Sequence, residues 1–592
     1  MSKEYMLGNE AIARGLLESG IDVAVGYPGT PSSEVLASLA PHARGRFHIE
    51  WSVNEKVALE VAIGASWAGA RSVCTMKHVG LNVAADPFMT LSHAGVNGGL
   101  ILISADDPSC HSSQNEQDSR VYAKFAKVPC FDPQSPQEAK DMVAYAYAFS
   151  EKHQIPVLLR PTTRIAHAKS DVEVHEVLPR PKKIEFKKDV ERYVVLPKHT
   201  RVLLKKLNAK QEAMRGELAS SPWNRLDLRD NARLGIVASG VASAYVEEAL
   251  ETLGVPVSYL KIGAYPIDPS LIKRLADSVE RILVVEELTP FVEEQVRMYA
   301  DDVMGKMTGD VPHEGEFDPL LVANMIRRAA GRPLLENREV RLDFELPARP
   351  PVMCAGCPHR ATFYAMKSVF KDESIFASDI GCYTLGTQLG AVDTCLCMGA
   401  SITIASGLSF SGLKNKIACT IGDSTFLHTG IPGLINAVYN KADITVVILD
   451  NRTTGMTGHQ PHPATGETIL GEPSTEISLE AVVKACGVQS MQAIDPYDLE
   501  SSKAAFRKAY NSEGVKVIIS RQPCVITSKR MGIRRQQYEV IEDLCEGCKR
   551  CIKYGCPAME VRGGKAFIND SCAGCGVCMK LCQFGAIKAR GA

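Results

Sequence analysis

Three observations predict an α/β chain of several domains built on parallel sheets, with a small cysteine-rich module at the C-terminal end. Strand-like and helix-like segments alternate over residues 1–165, and the same alternation resumes from Arg233 and again beyond a proline-rich stretch at Pro347 to Pro351. Eight of the nineteen cysteines fall within residues 545–592. At 592 residues the chain has room for several cores, and a prior of roughly 150 residues per domain suggests about four.

In the first α/β stretch, Ile21 to Gly26, Ser72 to Lys77, Gly99 to Ala105 and Ile155 to Arg160 read as strands, and Asn54 to Gly69 as a helix. Residues 171–230 are charged, with the run PRPKKIEFKKDVERY, and read as a solvated connector containing helices. The second stretch has strands at Arg233 to Gly240, Pro256 to Leu260 and Arg281 to Glu286, with a helix over Ala242 to Leu253. Gly240 at that helix start is read as a packing glycine in preference to an anion site. The third stretch runs to about Gln522 and includes strands Lys416 to Gly422 and Ile444 to Asp450.

Composition excludes several classes. Lys plus Arg of 67 against Asp plus Glu of 68 leaves no basic surplus for nucleic acid. The start, MSKEYMLGNEAIARGL, lacks the continuous apolar core of a signal peptide, and no apolar run reaches the length of a membrane span. A cytoplasmic location is expected.

The tail reads Cys545-x2-Cys548-x2-Cys551-x4-Cys556-Pro557 and Cys572-x2-Cys575-x2-Cys578-x3-Cys582. Three thiolates within seven residues wrap three corners of an iron–sulfur cubane, with a distant fourth closing it, whereas structural zinc usually takes separated pairs. In the usual crossover, Cys545, Cys548, Cys551 and Cys582 hold one [4Fe-4S] cluster, and Cys572, Cys575, Cys578 and Cys556 the other. Two departures are present: four residues separate Cys551 from Cys556 where three are usual, and Gln583 replaces a proline after Cys582. Disulfides are the competing reading, disfavoured for a chain of this size in a reducing compartment.

Strands Lys416 to Gly422 and Ile444 to Asp450 end in Gly422-Asp423-Ser424 and Asn451. Neighbouring parallel strands lie about 4.8 Å apart, so these ends meet at the carboxyl edge where such sheets bind ligands. Asp423, the Asn451 amide and the Thr453 carbonyl form a donor set for Mg²⁺ on a diphosphate. The pattern resembles the thiamine-diphosphate motif, with Ser424 where a glycine is usual. That cofactor also requires a carboxyl group to hydrogen-bond its aminopyrimidine. Glu55, at the start of the Asn54 helix, suits the task, although spacing alone reads it equally as a solvated or helix-capping residue. Glu60 faces another side and reads as structural.

With these pieces, nearly the whole chain resembles the 2-oxoacid:ferredoxin oxidoreductases. Gly26-Tyr27-Pro28-Gly29-Thr30-Pro31-Ser32-Ser33 is similar to a family segment whose threonine contacts the oxoacid, which nominates Thr30. Asn54-Glu55 with Ala62-Ile63-Gly64-Ala65-Ser66 matches the stretch carrying the activating glutamate. Thr75 to Asn82 (TMKHVGLN), Cys354 to Arg360 (CAGCPHR) and Gly422 to Phe426 (GDSTF) are similar to the arylpyruvate branch. The resemblance also implies a third [4Fe-4S] cluster near the thiamine on Cys354, Cys357, Cys382 and Cys524. Cys395 and Cys397 are left as core thiols.

The resemblance implies two thiamine-diphosphate-binding parallel-sheet domains, an intervening α/β domain and a ferredoxin-like domain with two [4Fe-4S] clusters. The expected ranges are a pyrimidine-side domain over 1–170, the connector 171–230, a transketolase-C-terminal-like domain over 231–346, a diphosphate and Mg²⁺ domain over 350–526, and the cluster domain over 535–592. It further implies oxidative decarboxylation of an arylpyruvate, indole-3-pyruvate favoured, with coenzyme A as acyl acceptor and ferredoxin as electron acceptor. Thr30, Lys77 and His78 are the candidates near the oxoacid, and His459 and His462 for a lid beyond the metal loop. Lys549, Arg550, Lys553 and Lys580 offer positive charge to an acidic ferredoxin. The sequence contains no evident third catalytic-subunit domain, so a separate small subunit is expected, assembled as a dimer of heterodimers. A non-oxidative thiamine-dependent decarboxylase and a non-catalytic electron-transfer subunit are the alternative readings.

Overall fold

In the computed structural model, residues 2–177, 184–336, 344–347 and 349–591 are described. The chain divides into two compact units, Met1–Leu342 and Asp343–Ala592, so the boundary falls just ahead of the predicted proline-rich linker. Part of the charged run PRPKKIEFKKDVERY lies outside the described residues.

The first unit is built on two sheets. One has seven strands in the order Ala264–Tyr265, Cys130–Phe131, Val157–Leu159, Leu100–Ala105, Ser72–Lys77, Val23–Gly26 and His48–Trp51. All its neighbours are parallel except the first pair. The inner strands Ser72–Lys77 and Leu100–Ala105 are buried along their whole length, as continuous apolar runs covered by helices on both faces require. The predicted helix forms as Glu55–Trp67, with the Asn54 side chain accepting the Val57 N–H at 2.9 Å and so capping it.

The second sheet runs Val303–Met304, Arg281–Val285, Leu234–Ser239, Val257–Ile262 and Asn224–Asp227, with only the last pair antiparallel. Gly240 has φ 56, and a Cβ there would meet Asp132 Oδ1 at 2.6 Å. A carboxylate therefore occupies the approach to this helix start, in keeping with a packing role.

Two features went unread in the sequence. Ser2–Leu7 pairs antiparallel with Lys169–Val174, joining the polar N-terminal segment to the start of the charged stretch. The connector is also more than a solvated spacer: helix Pro197–Ala219 buries Leu203, Leu207, Met214 and Leu218, and the Arg192 guanidinium donates to the Ala94 and Val96 carbonyls at 2.7 Å each. Spaced leucines among many lysines and glutamates give a narrow apolar stripe that composition averages away.

In the second unit a five-stranded, all-parallel sheet has the order Ile375–Ala377, Ile417–Gly422, Ile444–Asp450, Val515–Arg521 and Ser490–Ile494. Residues beyond 535 contribute two antiparallel pairs, Tyr538–Val540 with Ile587–Ala589 and Met559–Arg562 with Lys565–Ile568. Tyr554, Val577 and Leu581 of this segment pack into the same apolar cluster as Met353, Cys357 and Phe363.

A buried ionic network ties the two sheets of the first unit. The Arg120 side chain is 0% exposed and donates to Asp118 at 2.6 Å, Glu286 at 2.9 Å, Ser239 at 3.1 Å and the Glu287 carbonyl at 3.0 Å. Arg160 donates to Asp106 at 2.6 Å and Asp132 at 3.0 Å. Removing one cation from such a network strands its carboxylates in an apolar setting. Arg120→Met is therefore expected to destabilise the first unit by about 3–5 kcal/mol, read as a lower first transition in a thermal scan; a transition at the wild-type temperature would show the network to be dispensable.

Candidate functional site

In the second unit the parallel pairing of Ile417–Gly422 with Ile444–Asp450 brings the two predicted strand ends together. Gly422 closes against Tyr383, whose ring carbon Cε1 lies 2.8 Å from where a Cβ would stand. Asp423 Oδ1 accepts the Ser424 N–H and Oδ2 the Arg452 N–H, both at 2.8 Å. Arg452 has φ 61, the left-handed turn that aims its N–H back at Asp423. Ser424 and Thr454 join their hydroxyls at 3.0 Å, and Asn451 Oδ1 accepts the Thr453 N–H at 3.2 Å.

Burial alone would raise the Asp423 carboxyl, but the nearby His462 imidazole, with Nε2 3.1 Å from Oδ2, and the Ser424 N–H outweigh it and hold Asp423 below the usual range. Asp450 goes the other way, raised by burial and by the Asp423 charge. His462 is thus buried beside Asp423.

Sequence reasoning missed His359. It is 4% exposed, and both ring nitrogens lack a hydrogen-bond partner among the described residues. Burial pushes its pKa down to about 4, with Asp423 acting in the opposite direction, so the imidazole is neutral at pH 7. The ring stands edge-on to Tyr383 at 5.8 Å. Its place directly after the Cys357-Pro358 pair was the available signal.

Among the described residues no three His, Cys, Asp or Glu side chains converge on one metal position. A cation beside Asp423 would therefore be completed by an amide oxygen, a main-chain carbonyl and ligand oxygens, which is the donor set of Asp423, Asn451 and Thr453. The buried His359 ring nitrogens and Asp450 Oδ1 lack partners and leave hydrogen-bonding capacity for a polar group. The residues fit a metal-bound diphosphate.

Four cysteines gather beside this edge. The Cys524 N–H donates to the Asn451 carbonyl at 3.0 Å, and its Sγ lies 3.9 Å from His459 Nδ1. A Cβ on Gly455 would stand 3.5 Å from Cys382 Sγ and 3.6 Å from Asn451 Nδ2. Burial raises the Cys357 thiol to about 12, with Cys354 and Cys382 adding to the rise. Burial likewise raises Cys382 to about 11, with Cys524 and Cys354 adding. Thiols that oppose one another's ionisation suit a cationic cluster, which binds them as thiolates and displaces the protons. His459 therefore sits at the thiol set. Cys395 and Cys397, expected in the core, are exposed.

In the terminal segment Cys545, Cys548, Cys551 and Cys582 line one small cavity with Val540, Ile552, Ala566, Phe584, Ala586 and Ile587. Cys556, Cys572 and Cys575 surround Cys578, whose thiol is raised by burial and then by those three neighbours. The Ala586 N–H donates to Cys582 Sγ at 3.3 Å. All nineteen cysteines are free, and those of the tail lie in two groups of four.

Within the first unit Glu55 is 5% exposed, which removes the solvated alternative, and Asn54 takes the capping role. A Cβ on Gly80 would lie 2.6 Å from Glu55 Oε1. Glu60, by contrast, is on the surface and pairs with Lys56. Lys77 donates to the Ser112 carbonyl at 2.8 Å, and burial lowers its pKa to about 8 against the opposing charges of Asp107 and Glu55. Ser112 Oγ donates to the Thr30 carbonyl at 3.2 Å, and His78 Nε2 lies 3.0 Å from the Asn115 carbonyl. Asp107 fixes this loop, accepting from Ser112 N–H at 2.8 Å, Ser113 Oγ at 2.6 Å and Thr163 Oγ1 at 2.6 Å. The loop 107–115 thus gathers Thr30, Lys77 and His78; nothing in its sequence had nominated it.

Comparison with known proteins agrees with both halves. Residues 14–215 match the family "Pyruvate flavodoxin/ferredoxin oxidoreductase, thiamine diP-bdg", and residues 379–520 match "Thiamine pyrophosphate enzyme, C-terminal TPP binding domain". The chain is 46% identical to indolepyruvate oxidoreductase subunit IorA of Archaeoglobus fulgidus over 99% of its length and 97% of the relative's. It is 44% identical to the Pyrococcus abyssi subunit over 98% and 96%, and 43% identical to that of Methanothermobacter thermautotrophicus over 100% and 98%. With thiamine-binding α/β domains at both ends of the match and end-to-end similarity to these subunits, the chain belongs to the indolepyruvate oxidoreductase IorA family, within the 2-oxoacid:ferredoxin oxidoreductases.

Proposed function

We propose that this chain is the catalytic subunit of an enzyme that oxidatively decarboxylates indolepyruvate with coenzyme A, giving an arylacetyl-CoA, CO2 and reduced ferredoxin. The observation that carries the reading is the meeting of Asp423 with the 451–454 loop beside four gathered thiols. Bound thiamine diphosphate supplies a thiazolium that stabilises the electron pair left when CO2 departs, a task no side chain performs well.

Asp423, the Asn451 amide and the Thr453 carbonyl would hold Mg²⁺, and the neutral His359 imidazole would donate one hydrogen bond to the diphosphate. Glu55, buried at a helix start, presents its carboxyl group to the aminopyrimidine. Lys77, with a pKa of about 8, is mainly an ammonium at pH 7 and pairs with the oxoacid carboxylate, while Thr30 and His78 offer a hydroxyl and an imidazole to the same group. His459 orients the Cys524 thiolate. The three cysteine sets would hold [4Fe-4S] clusters that accept, one at a time, the pair of electrons released per oxoacid, and the coenzyme A thiol takes the acyl group with loss of its proton. A small subunit completes the enzyme as a dimer of heterodimers, and Lys549, Arg550 and Lys553 face the acidic ferredoxin.

Anaerobic purification with the small subunit is expected to give about twelve irons per chain and bound thiamine diphosphate, with coenzyme-A-dependent ferredoxin reduction by indolepyruvate. About eight irons would remove the Cys354 set from the assignment, and CO2 release without either acceptor would mark a non-oxidative decarboxylase. Asp423→Ala is expected to weaken thiamine diphosphate retention by roughly 100-fold or more with iron unchanged. Gly80→Ala pushes the Glu55 carboxyl aside and is expected to lower kcat by roughly 100-fold while cofactor binding persists; wild-type turnover would displace Glu55 from its role. His359→Phe is expected to raise the thiamine diphosphate Kd by roughly 10- to 100-fold, the value of a hydrogen bond to a charged group, and an unchanged Kd in calorimetry would place His359 outside the cofactor site.

A further inference from the structure

The two cysteine groups of the terminal segment are not equivalent with respect to the sheet that carries Asp423. Every residue lining the Cys545, Cys548, Cys551 and Cys582 cavity lies between Val540 and Ile587. The Cys556, Cys572, Cys575 and Cys578 group is instead joined to the Cys354–Cys357 loop by close packing. Gly356, with φ 72, stands in the middle of that loop, and a Cβ there would lie 2.8 Å from Ala573 Cβ and 3.7 Å from Cys575 Cβ. The two ligand-bearing loops touch at a point that admits no side chain.

Tyr497 secures this contact. It is 7% exposed, and its hydroxyl donates to the Gly356 carbonyl at 2.6 Å. Its own carbonyl accepts from Lys580 Nζ at 2.9 Å, two residues beyond Cys578. The Arg535 guanidinium lies 4.8 Å over its ring and donates to Gln522 at 2.9 Å, two residues before Cys524. Lys580 is exposed and makes this hydrogen bond from the surface. Arg360 spans the same gap on another side, donating to the Met353 carbonyl at 2.7 Å and the Gly555 carbonyl at 2.5 Å, each just ahead of a cysteine in one of the two sets.

We propose that Tyr497 is a positioning residue for electron transfer: its hydroxyl clamps the Cys354–Cys357 loop onto the Cys572–Cys578 segment and so sets the separation of those two cysteine sets. This rests on the three-cluster reading above. In the step the clamp would serve, one electron would pass from a reduced cluster held by Cys354, Cys357, Cys382 and Cys524, oxidising it, to a cluster held by the Cys556 set, reducing it; no bond is made or broken. Tunnelling falls steeply with separation, so the rate depends on how tightly the two loops are held.

The test uses the anaerobic holoenzyme with its small subunit and compares wild type with Tyr497→Phe, which deletes only the hydroxyl, and Gly356→Ala, which forces the loops apart. Iron is counted in each, the spin–spin interaction between reduced clusters is read by electron paramagnetic resonance, and the order of cluster reduction after mixing with indolepyruvate and coenzyme A is followed by rapid freeze-quench. Expected in Tyr497→Phe are about twelve irons, weakened coupling, and slower arrival of the electron in the tail than in wild type. Gly356→Ala is expected to show a larger loss. Tyr497→Phe with full iron, wild-type coupling and wild-type transfer overturns the clamp. Wild-type enzyme with about eight irons overturns the three-cluster reading itself, and Tyr497→Phe decides the matter even where Gly356→Ala does not accumulate.

Discussion

The parallel pairing of strand Ile417–Gly422 with strand Ile444–Asp450 is the constraint on which the chemistry depends. Register Gly422 to Leu449 delivers Asp423 and Asn451 to one edge, where each strand ends and its following backbone is free to turn. Asp423 is then held from two sides, by its own helix start and by the Arg452 N–H. A slip of one residue would reverse the side-chain directions along the strand and break this arrangement. Both strands are buried along their whole length.

The same edge organises the sulfur chemistry. Cys524 hangs from the Asn451 carbonyl, and Cys382 lies against Gly455 in the loop that follows Asn451. The residues assigned to the cation and those assigned to the nearest cluster therefore share a backbone segment. Glycine is required where these loops crowd: at Gly422 under Tyr383 and at Gly356 against Ala573. Close approach between redox loops is obtained by leaving out side chains at those contacts.

Buried charge is treated differently in the two units. Around Arg120 and Arg160 in the first unit, every buried cation meets a carboxylate, which joins two sheets while leaving the ions inert. Near Asp423 in the second, His359 and Asp450 keep unpartnered polar atoms. Such atoms are costly in an apolar interior unless a polar group meets them.

The sequence by itself determined the elements with strong local patterning: apolar strands such as Ser72–Lys77 and Ile444–Asp450, the Asn54-capped helix, and the cysteine triplets whose spacing dictates a ligand loop. Each of these is specified within a short window, by side-chain period, capping chemistry or loop length. Tertiary structure alone decided which groups meet across long separations. It buried Glu55 against Gly80, set the loop 107–115 around Thr30 and Lys77, exposed Cys395 and Cys397, turned His462 and His359 toward Asp423, and engaged Lys580 with Tyr497. A histidine or lysine carries the same letter whether solvated or stripped of partners, and only packing between distant segments decides which neighbours and which dielectric it finds.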